Sequence, residues 1–183
     1  MNRKSSLVIR LVTGILVAVG AVNVWSDEDE QWYGGAEDVE FAADLWDAML
    51  QAGLVGSEAT NGHPYVGAHP HGAILESALH TITVRGLTST LAAKLSYRGI
   101  GVSIEEVVAD RAGVIEDVTV MFKREDGYDS AHQNWFWAKY NPDGTLDTTP
   151  KGVELAGRIA KGKAKGCIAC HLKAEGGDLL FIN

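Results

Sequence analysis

Cysteine is scarce in this sequence of 183 residues, which contains only Cys167 and Cys170. A structural zinc site needs about four cysteine or histidine ligands at matched spacings, and no second Cys-x-x-Cys is present to complete one. A disulfide between two cysteines three positions apart would be strained and would close almost no loop, so it would stabilise the fold poorly. The two thiols are therefore expected to serve another chemistry.

The two cysteines stand directly before His171, in the run Cys-Ile-Ala-Cys-His. Two thiols at this spacing can each add across one vinyl group of a haem, and the histidine that follows is placed to ligate the iron. A redox-active dithiol is the alternative, but such a pair normally lies between a strand and a helix, whereas this one follows a lysine-rich segment. The sequence predicts one covalently bound haem c, with thioethers at Cys167 and Cys170 and His171 as axial iron ligand.

Positive charge is also in short supply. Lysine and arginine number 16 against 24 acidic residues, which gives a formal net charge of −8. Residues 1–26 contain three basic residues and no acid, so their removal would take the charge to −11. An acidic surface repels nucleic acid and favours a basic partner, such as a soluble electron-carrier protein. Solubility alone is the alternative explanation for the acidity.

The first 26 residues differ in kind from the rest. Three basic residues precede an apolar run, and a run of four acidic residues follows it. This order is typical of a secretory signal peptide. The apolar run is short of the roughly twenty residues needed to span a bilayer, although an uncleaved anchor over residues 7–25 is the alternative. We expect residues 27–183 to form one domain that is periplasmic or otherwise exported.

Hydrophobic periodicity along the remaining chain predicts an α+β fold. Apolar residues at helical spacing predict an amphipathic helix over residues 37–52. Apolar, β-branched or aromatic runs predict strands over residues 73–84, 118–123, 134–140 and 178–182. Segment 88–97 fits a strand or a short helix, 100–109 is equally ambiguous, and 151–165 is loosely helical in pattern. The second and third of the predicted strands should pair as a hairpin, in an antiparallel sheet with helices packed on one side and haem at one end.

Residues 53–72 are rich in glycine, proline and histidine and are predicted to form a loop. Three histidines, His63, His69 and His71, lie within it. Their closeness raises the question of a metal site, but no helix or strand frames them as ligands. Loop packing or contacts with the edge of a haem are therefore favoured.

The chain that leads to the haem motif is basic although the domain is acidic. Residues 151–165 contain four lysines and an arginine. This positive segment could pair with haem propionates, and a solvated helix face explains it equally well. The sequence leaves both explanations open.

The C-terminal part of the chain resembles a known family. The run TVMFKREDGYDSAHQNWFWAKYNPDG, then GCIACH, then GGDLLFIN follow the order found in the cytochrome P-460 and cytochrome c-prime-beta family. The resemblance is good over residues 116–183 and holds in outline over residues 37–115. It implies a mostly antiparallel sheet, often in a homodimer, with one five-coordinate c-type haem whose proximal ligand is His171. The open side of the iron binds small gases in some members, and hydroxylamine or nitric oxide in others.

In the members that oxidise hydroxylamine, a lysine additionally crosslinks to the haem ring. Lys94 is the single lysine between the predicted helix and Lys123, so it is the candidate for that position. Its neighbours Ala93 and Leu95 depart from the Val-Lys-Glu pattern of the crosslinking members. An ordinary surface lysine, with its stem packed on the sheet, is the alternative.

Three functions agree with these features. The first is a mono-haem c-type cytochrome that transfers electrons or binds nitric oxide, with the protein orienting the haem and setting the polarity around it. The second is an enzyme that oxidises hydroxylamine or nitric oxide, in which the carboxylate of Glu116 or Glu106 takes up protons. Exposed acids are the alternative for both glutamates, since an acid-rich chain places most carboxylates in water. A module that uses haem only to stabilise an interaction surface is a third function.

Overall fold

The computed structural model of the protein describes residues 32–57, 59, 62–97 and 101–181. The predicted signal peptide lies outside these residues. The strands of the described part are β1 (Tyr65–Val66), β2 (Ile74–Val84), β3 (Leu87–Tyr97), β4 (Ile115–Lys123), β5 (Trp135–Tyr140) and β6 (Ala156–Gly157). Its helices are α1 (Ala36–Gln51), α2 (Ile104–Ala109), α3 (Arg111–Val114), the 3₁₀ turn Ser130–His132 and α4 (Cys167–His171). Among these helices, none has the length and apolar character needed to cross a membrane.

The strands form one antiparallel sheet in which each strand pairs with the next strand along the chain. The two longest strands, β2 and β3, are joined by Arg85 and Gly86, whose φ angles are 49° and 81°. A two-residue turn with two positive φ angles matches the twist of the strands it joins. The registers on the two sides of β3 place Lys94 between Ser77 and Thr119.

Helix α1 covers one face of the sheet. Phe41, Leu45 and Met49 are buried on one side of the helix, because residues three and four apart share a helix face. They belong to a core that includes Phe122 of β4 and Phe136 of β5. The ring centroids of Phe41 and Phe136 are 4.7 Å apart. This core occupies one face and leaves the opposite face of the sheet to the rest of the chain.

A second, smaller cluster lies on that opposite face. Met121, Trp135 and Trp137 alternate with residues of the first core, because successive side chains of a strand point to opposite faces. They pack with Ile168 of α4 and with Leu179. The antiparallel sheet and the α+β class are confirmed. The expectation that helices pack on one side is wrong, since α1 and α4 lie on opposite faces.

Most of the predicted elements are confirmed. The helix over residues 37–52 is α1, the strand over 73–84 is β2, and β4 and β5 pair as the expected hairpin. The ambiguous segment 88–97 is a strand, β3. Within the second ambiguous segment, α2 begins after Ser103, whose hydroxyl caps the helix.

The helical interpretation of residues 151–165 is wrong. The chain there makes successive turns and contributes only the two-residue strand β6. Gly157 has a φ of 113°, and a Cβ at this position would lie 2.5 Å from a carboxylate oxygen of Asp38. A regular helix cannot pass through such a position, because right-handed helices require negative φ.

The final strand predicted over residues 178–182 is also wrong for its described residues, 178–181. Leu179 has a φ of 59°, which interrupts an extended backbone. The backbone carbonyls here contact aromatic rings instead of a neighbouring strand. The Nε1 of Trp135 donates to the carbonyl oxygen of Asp178 at 3.0 Å, and the Nδ1 of His171 lies 2.6 Å from that of Leu179.

Candidate functional site

A cavity of about 930 Å³ opens on the sheet face that carries the smaller cluster. Cofactor and ligand sites usually measure about 300–1,000 Å³, so this volume is at the upper end of the range. Residues of β2 to β5, of α4 and of the loop that precedes β2 line it. The cavity is therefore bounded by the face of the sheet that α1 leaves uncovered.

Helix α4 presents both cysteines and the histidine to this cavity. Cys167, Cys170 and His171 all line it, since residues three and four apart share a helix face. Both thiols are free, and burial raises the pKa of the Cys167 thiol. The turn into α4 requires glycine, because Gly166 has a φ of 122° and a Cβ there would clash with the Cβ of Ala160.

Three groups hold the ring of His171. Its Nδ1 donates to the carbonyl oxygen of Leu179 at 2.6 Å, and the rings of Trp137 and Phe181 lie 4.8 and 5.2 Å away, centroid to centroid. Because Nδ1 carries the hydrogen, Nε2 keeps its lone pair. Burial lowers the pKa of His171, which favours the neutral ring that binds metals.

The cavity is rich in positive charge although the protein as a whole is acidic. The lysines that line it are Lys94, Lys139, Lys165 and Lys173. Among the described residues, no aspartate or glutamate lines it. The Nζ of Lys139 is paired with carboxylates of Asp147 at 2.8 Å and Asp117 at 3.3 Å. A cavity lined in this way favours a bound group that carries negative charge.

Lys94 reaches the cavity from the middle of β3. Its neighbours Ala93 and Leu95 belong to the core beneath α1, so the alternation of the strand puts Lys94 on the other face. The two departures from the Val-Lys-Glu pattern therefore concern side chains that belong to this core, although Ala93 also borders the cavity. Burial lowers the pKa of Lys94, which increases the neutral, nucleophilic fraction of the amine.

Trp137 carries a buried donor with no partner among the described residues. Its Nε1 is inaccessible to solvent and makes no hydrogen bond. Buried N–H groups are normally paired, and Trp137 lines the cavity. An acceptor on a bound group would satisfy this donor.

The structure does not bring Glu106 or Glu116 to the cavity. The carboxylate of Glu106 accepts a hydrogen bond from the backbone N–H of Ser103 at 2.8 Å and so caps α2. Glu116 is exposed at a bulge in β4, where the register shifts between Ser96 and Tyr97 of the facing strand. Neither glutamate lines the cavity, so neither is placed to take protons from a group bound there.

Several residues around His171 were not singled out from the sequence. The aromatic run of β5 was recognised only as a strand, although period-two alternation separates Trp137 from Phe136. The carbonyl of Leu179 could not be recognised from the sequence, because a backbone oxygen accepts this hydrogen bond and every residue has one. Of the loop histidines, His69 and His71 line the cavity and His63 does not.

Comparison with known proteins bears on this site. A family model described as Cytochrome P460 matches residues 67–182. The chain belongs to the cytochrome P460 family. The matched region contains every described residue that lines the cavity except Tyr65. Comparisons with curated proteins and with solved structures give no match.

Membership in the cytochrome P460 family makes the protein a haem-binding cytochrome. The cavity fits that group. It offers an apolar and aromatic surface for a macrocycle, lysines for its carboxylates and a donor on Trp137. It also brings two free thiols and one imidazole nitrogen to the same wall.

Proposed function

We propose that this cytochrome P460-family protein is an exported mono-haem c-type cytochrome that transfers electrons or binds a small gas such as nitric oxide. Cys167 and Cys170 hold the haem covalently, and His171 is the axial ligand of its iron. The observation that carries the proposal is the presence of these three side chains on the wall of one cavity. The size of the cavity and its lysine lining support the same assignment.

Each cysteine would be joined to the haem by a balanced addition. The sulfur forms a bond to one carbon of a vinyl group and the thiol hydrogen goes to the other carbon, so no oxidant or reductant is needed. His171 contributes Nε2, because its Nδ1 is bonded to the Leu179 carbonyl. A fixed second bond of this kind orients the imidazole and raises its basicity as a ligand.

When bound, the haem supplies one-electron chemistry and an axial position for a small ligand. The protein supplies burial, orientation and charge. Lys165 and Lys173 stand at the cavity to pair with propionates, and Trp137 can donate to an acceptor there. Apolar residues of the sheet, including Met121, exclude water from the site and thereby influence its reduction potential.

The compartment and the partners belong to the same proposal. The N-terminal pattern supports export, with a membrane anchor over residues 7–25 as the alternative, and covalent attachment of haem takes place outside the bacterial cytoplasm. A charge of −11 without residues 1–26 supports a basic electron-carrier protein as partner.

A homodimer is supported by the edge of the sheet. β1 pairs only with Ile74 and Leu75 of β2, which leaves most of that edge without a strand in the described part of the chain.

A second function is favoured by one observation, the position of Lys94 in the same cavity. We propose as the alternative a hydroxylamine- or nitric oxide-oxidising enzyme in which Lys94 is crosslinked to the haem ring. The lowered pKa of the buried amine supports its reactivity. Because Glu106 and Glu116 lie away from the cavity, the proton acceptor of such an enzyme would have to be another group.

The experiment uses the full chain, produced with export and haem maturation. We expect an intact mass with one haem added, an ordinary c-type spectrum, and a haem-bearing peptide that contains Cys167 and Cys170. Cys167→Ser together with Cys170→Ser should abolish covalent attachment, while each single variant keeps one thioether. A haem that remains attached to the Lys94 peptide, with a red-shifted reduced Soret band, would establish the alternative. A mature protein without haem would contradict both.

A further inference from the structure

His71 lies next to His171 in the cavity. It belongs to the loop that precedes β2, and it lines the same cavity as the Cys-Ile-Ala-Cys-His helix. The ring centroids of His71 and His171 are 6.2 Å apart, and the two ring planes are nearly perpendicular, at 86°. Two imidazoles from distant parts of the chain therefore lie next to each other at the candidate haem site.

The two rings are farther apart than the other rings that contact His171, although 6.2 Å is within the range of about 4.5–7 Å of aromatic pairs. Trp137 and Phe181 contact the His171 ring with centroid distances of 4.8 and 5.2 Å, whereas His71 stands at 6.2 Å. An imidazole nitrogen binds a transition metal at about 2 Å, so two imidazoles on opposite sides of one metal have ring centroids roughly 6 Å apart. The observed distance of 6.2 Å also agrees with two imidazoles that share one metal, so the two rings are spaced to admit a metal between them.

The His71 ring is also available. No hydrogen bond joins this ring to another residue in the part of the chain that the structure describes, although the residue is half-buried. The backbone around it is fixed. The N–H of His71 donates to the Ala68 carbonyl at 3.1 Å, and the N–H of Gly67 donates to the Ala73 carbonyl at 2.7 Å. The loop thus holds an imidazole at the cavity without using its nitrogens.

We propose that His71 is the second axial ligand of the haem iron, so that the iron is held between His71 and His171. The inference rests on the proposed covalent haem and goes beyond it. The resemblance to the family implied a five-coordinate iron with an open side, and His71 closes that side in this chain. The ground state is then six-coordinate and low-spin, and an external ligand such as nitric oxide must first displace His71.

His69 provides a matched control. It lies two positions before His71, lines the same cavity and is more exposed. No ring contact places it near His171 in the described structure. His63, which does not line the cavity, is a second control from the same loop.

The experiment compares ferric wild-type holoprotein with His71→Ala, His69→Ala and His63→Ala by absorption and electron paramagnetic resonance spectroscopy. Haem content is measured first on every sample. We expect a low-spin wild type, loss of the low-spin signal in His71→Ala, and no change in either control. Imidazole added to His71→Ala should restore the low-spin signal. His71→Met should remain six-coordinate and show the near-infrared band of a sulfur ligand.

Three results would overturn the inference. One is a high-spin wild type, and another is a His71→Ala holoprotein that keeps the wild-type low-spin signal. The third is loss of the low-spin signal in His69→Ala but not in His71→Ala. If His71→Ala takes up no haem, the wild-type spectrum and His71→Met decide the question. A wild type that contains covalent haem but is high-spin leaves the proposed function intact, whereas a wild type without haem removes that function.

Discussion

The Nδ1 of His171 lies 2.6 Å from the backbone carbonyl oxygen of Leu179, eight residues later in the chain. Leu179 adopts a φ of 59°, and its side chain is buried in the cluster with Trp135 and Ile168. The segment after α4 therefore turns back to fix the tautomer and the orientation of the ring. A backbone acceptor cannot be removed by changing a side chain, but it can be displaced by a residue that excludes positive φ.

Leu179→Pro should release His171 from this hydrogen bond, because proline fixes φ near −65° and cannot adopt the observed value. The imidazole, which is the proposed iron ligand, then loses basicity, and we expect a more positive reduction potential of the holoprotein. Leu179→Ala is the matched control, since it removes the same apolar side chain and keeps the carbonyl in place. Equal potentials in the two variants would show that the bond does not influence the iron.

Glu76 of β2 is fully buried and pairs with Arg111 of α3 at 2.8 Å. The hydroxyl of Tyr97 donates to its other carboxylate oxygen at 2.7 Å. Arg111→Met leaves this carboxylate buried without a counter-charge. We expect the free energy of unfolding, measured in urea, to fall by about 3–5 kcal/mol.

Two further variants separate loss of the ion pair from loss of packing. Glu76→Met combined with Arg111→Met removes both charges, and it should recover much of the stability lost in Arg111→Met alone. Asp47→Asn changes an exposed carboxylate of α1 that makes no hydrogen bond or ion pair in the described part of the chain, and it should leave the urea midpoint where it is. If the double variant were as unstable as Arg111→Met, the loss of stability in Arg111→Met would not be caused by a buried unpaired charge.

The sequence predicts the parts of the site that depend on side-chain type and misses those that depend on the backbone. Cys167, Cys170 and His171 follow from a motif whose spacing brings all three to the wall of one cavity. Lys94 followed from the family resemblance, and the alternation of β3 explains why it reaches the cavity. The Leu179 carbonyl could not be predicted, because it depends on a positive φ at a residue other than glycine.

The fold shows the same division. Hydrophobic periodicity predicts α1 and the strands β2, β4 and β5, because each buries a regular stripe of apolar side chains. It fails for residues 151–165, where lysines and apolar residues recur at helical spacing but glycines adopt positive φ. Their conformation is set by tertiary contacts such as that between Gly157 and Asp38, which local patterns do not encode.

Gly157→Ala should destabilise the protein and disturb the haem site. The new Cβ would lie 2.5 Å from an Asp38 carboxylate oxygen, and Gly157 pairs with Trp137 in the sheet. We expect a loss of more than about 2 kcal/mol in the free energy of unfolding, since positive φ alone costs about 1–2 kcal/mol. Urea unfolding gives the energy, and the Soret band of the holoprotein reports the effect on Trp137.

Gly152→Ala separates backbone strain from the steric clash. Gly152 also has positive φ, at 80°, but a Cβ there would meet nothing within 4 Å. The substitution should lower the free energy of unfolding only by the cost of backbone strain, and it should leave the Soret band unchanged. Asp38→Ala combined with Gly157→Ala should recover the share of the lost free energy of unfolding that is due to the clash. No gain in that double variant would mean that the clash is relieved by other movements.

Stability should fall at alkaline pH because of two buried tyrosines. Burial raises the pKa of Tyr140 and of Tyr97 above the ordinary value of 10.0, and for Tyr97 the hydrogen bond to Glu76 adds to the shift. A folded-state pKa above the unfolded one means that the unfolded protein loses its protons first. The stabilisation is then complete below about pH 10 and is lost progressively as the pH rises above it.

The measurement is the free energy of unfolding in urea at a series of pH values on both sides of pH 10. Each group can contribute a slope of up to about 1.4 kcal/mol per pH unit, so Tyr140→Phe and Tyr97→Phe should each flatten the decline. Tyr140→Phe also loses the hydrogen bond from its hydroxyl to the Ala42 carbonyl, at 2.8 Å, which lowers stability equally at all pH values below the decline. The slope, and not the absolute stability, is therefore the quantity that isolates ionisation. An unchanged slope in both variants would assign the alkaline loss to other groups whose pKa is raised in the folded protein, such as Tyr128 and Lys139.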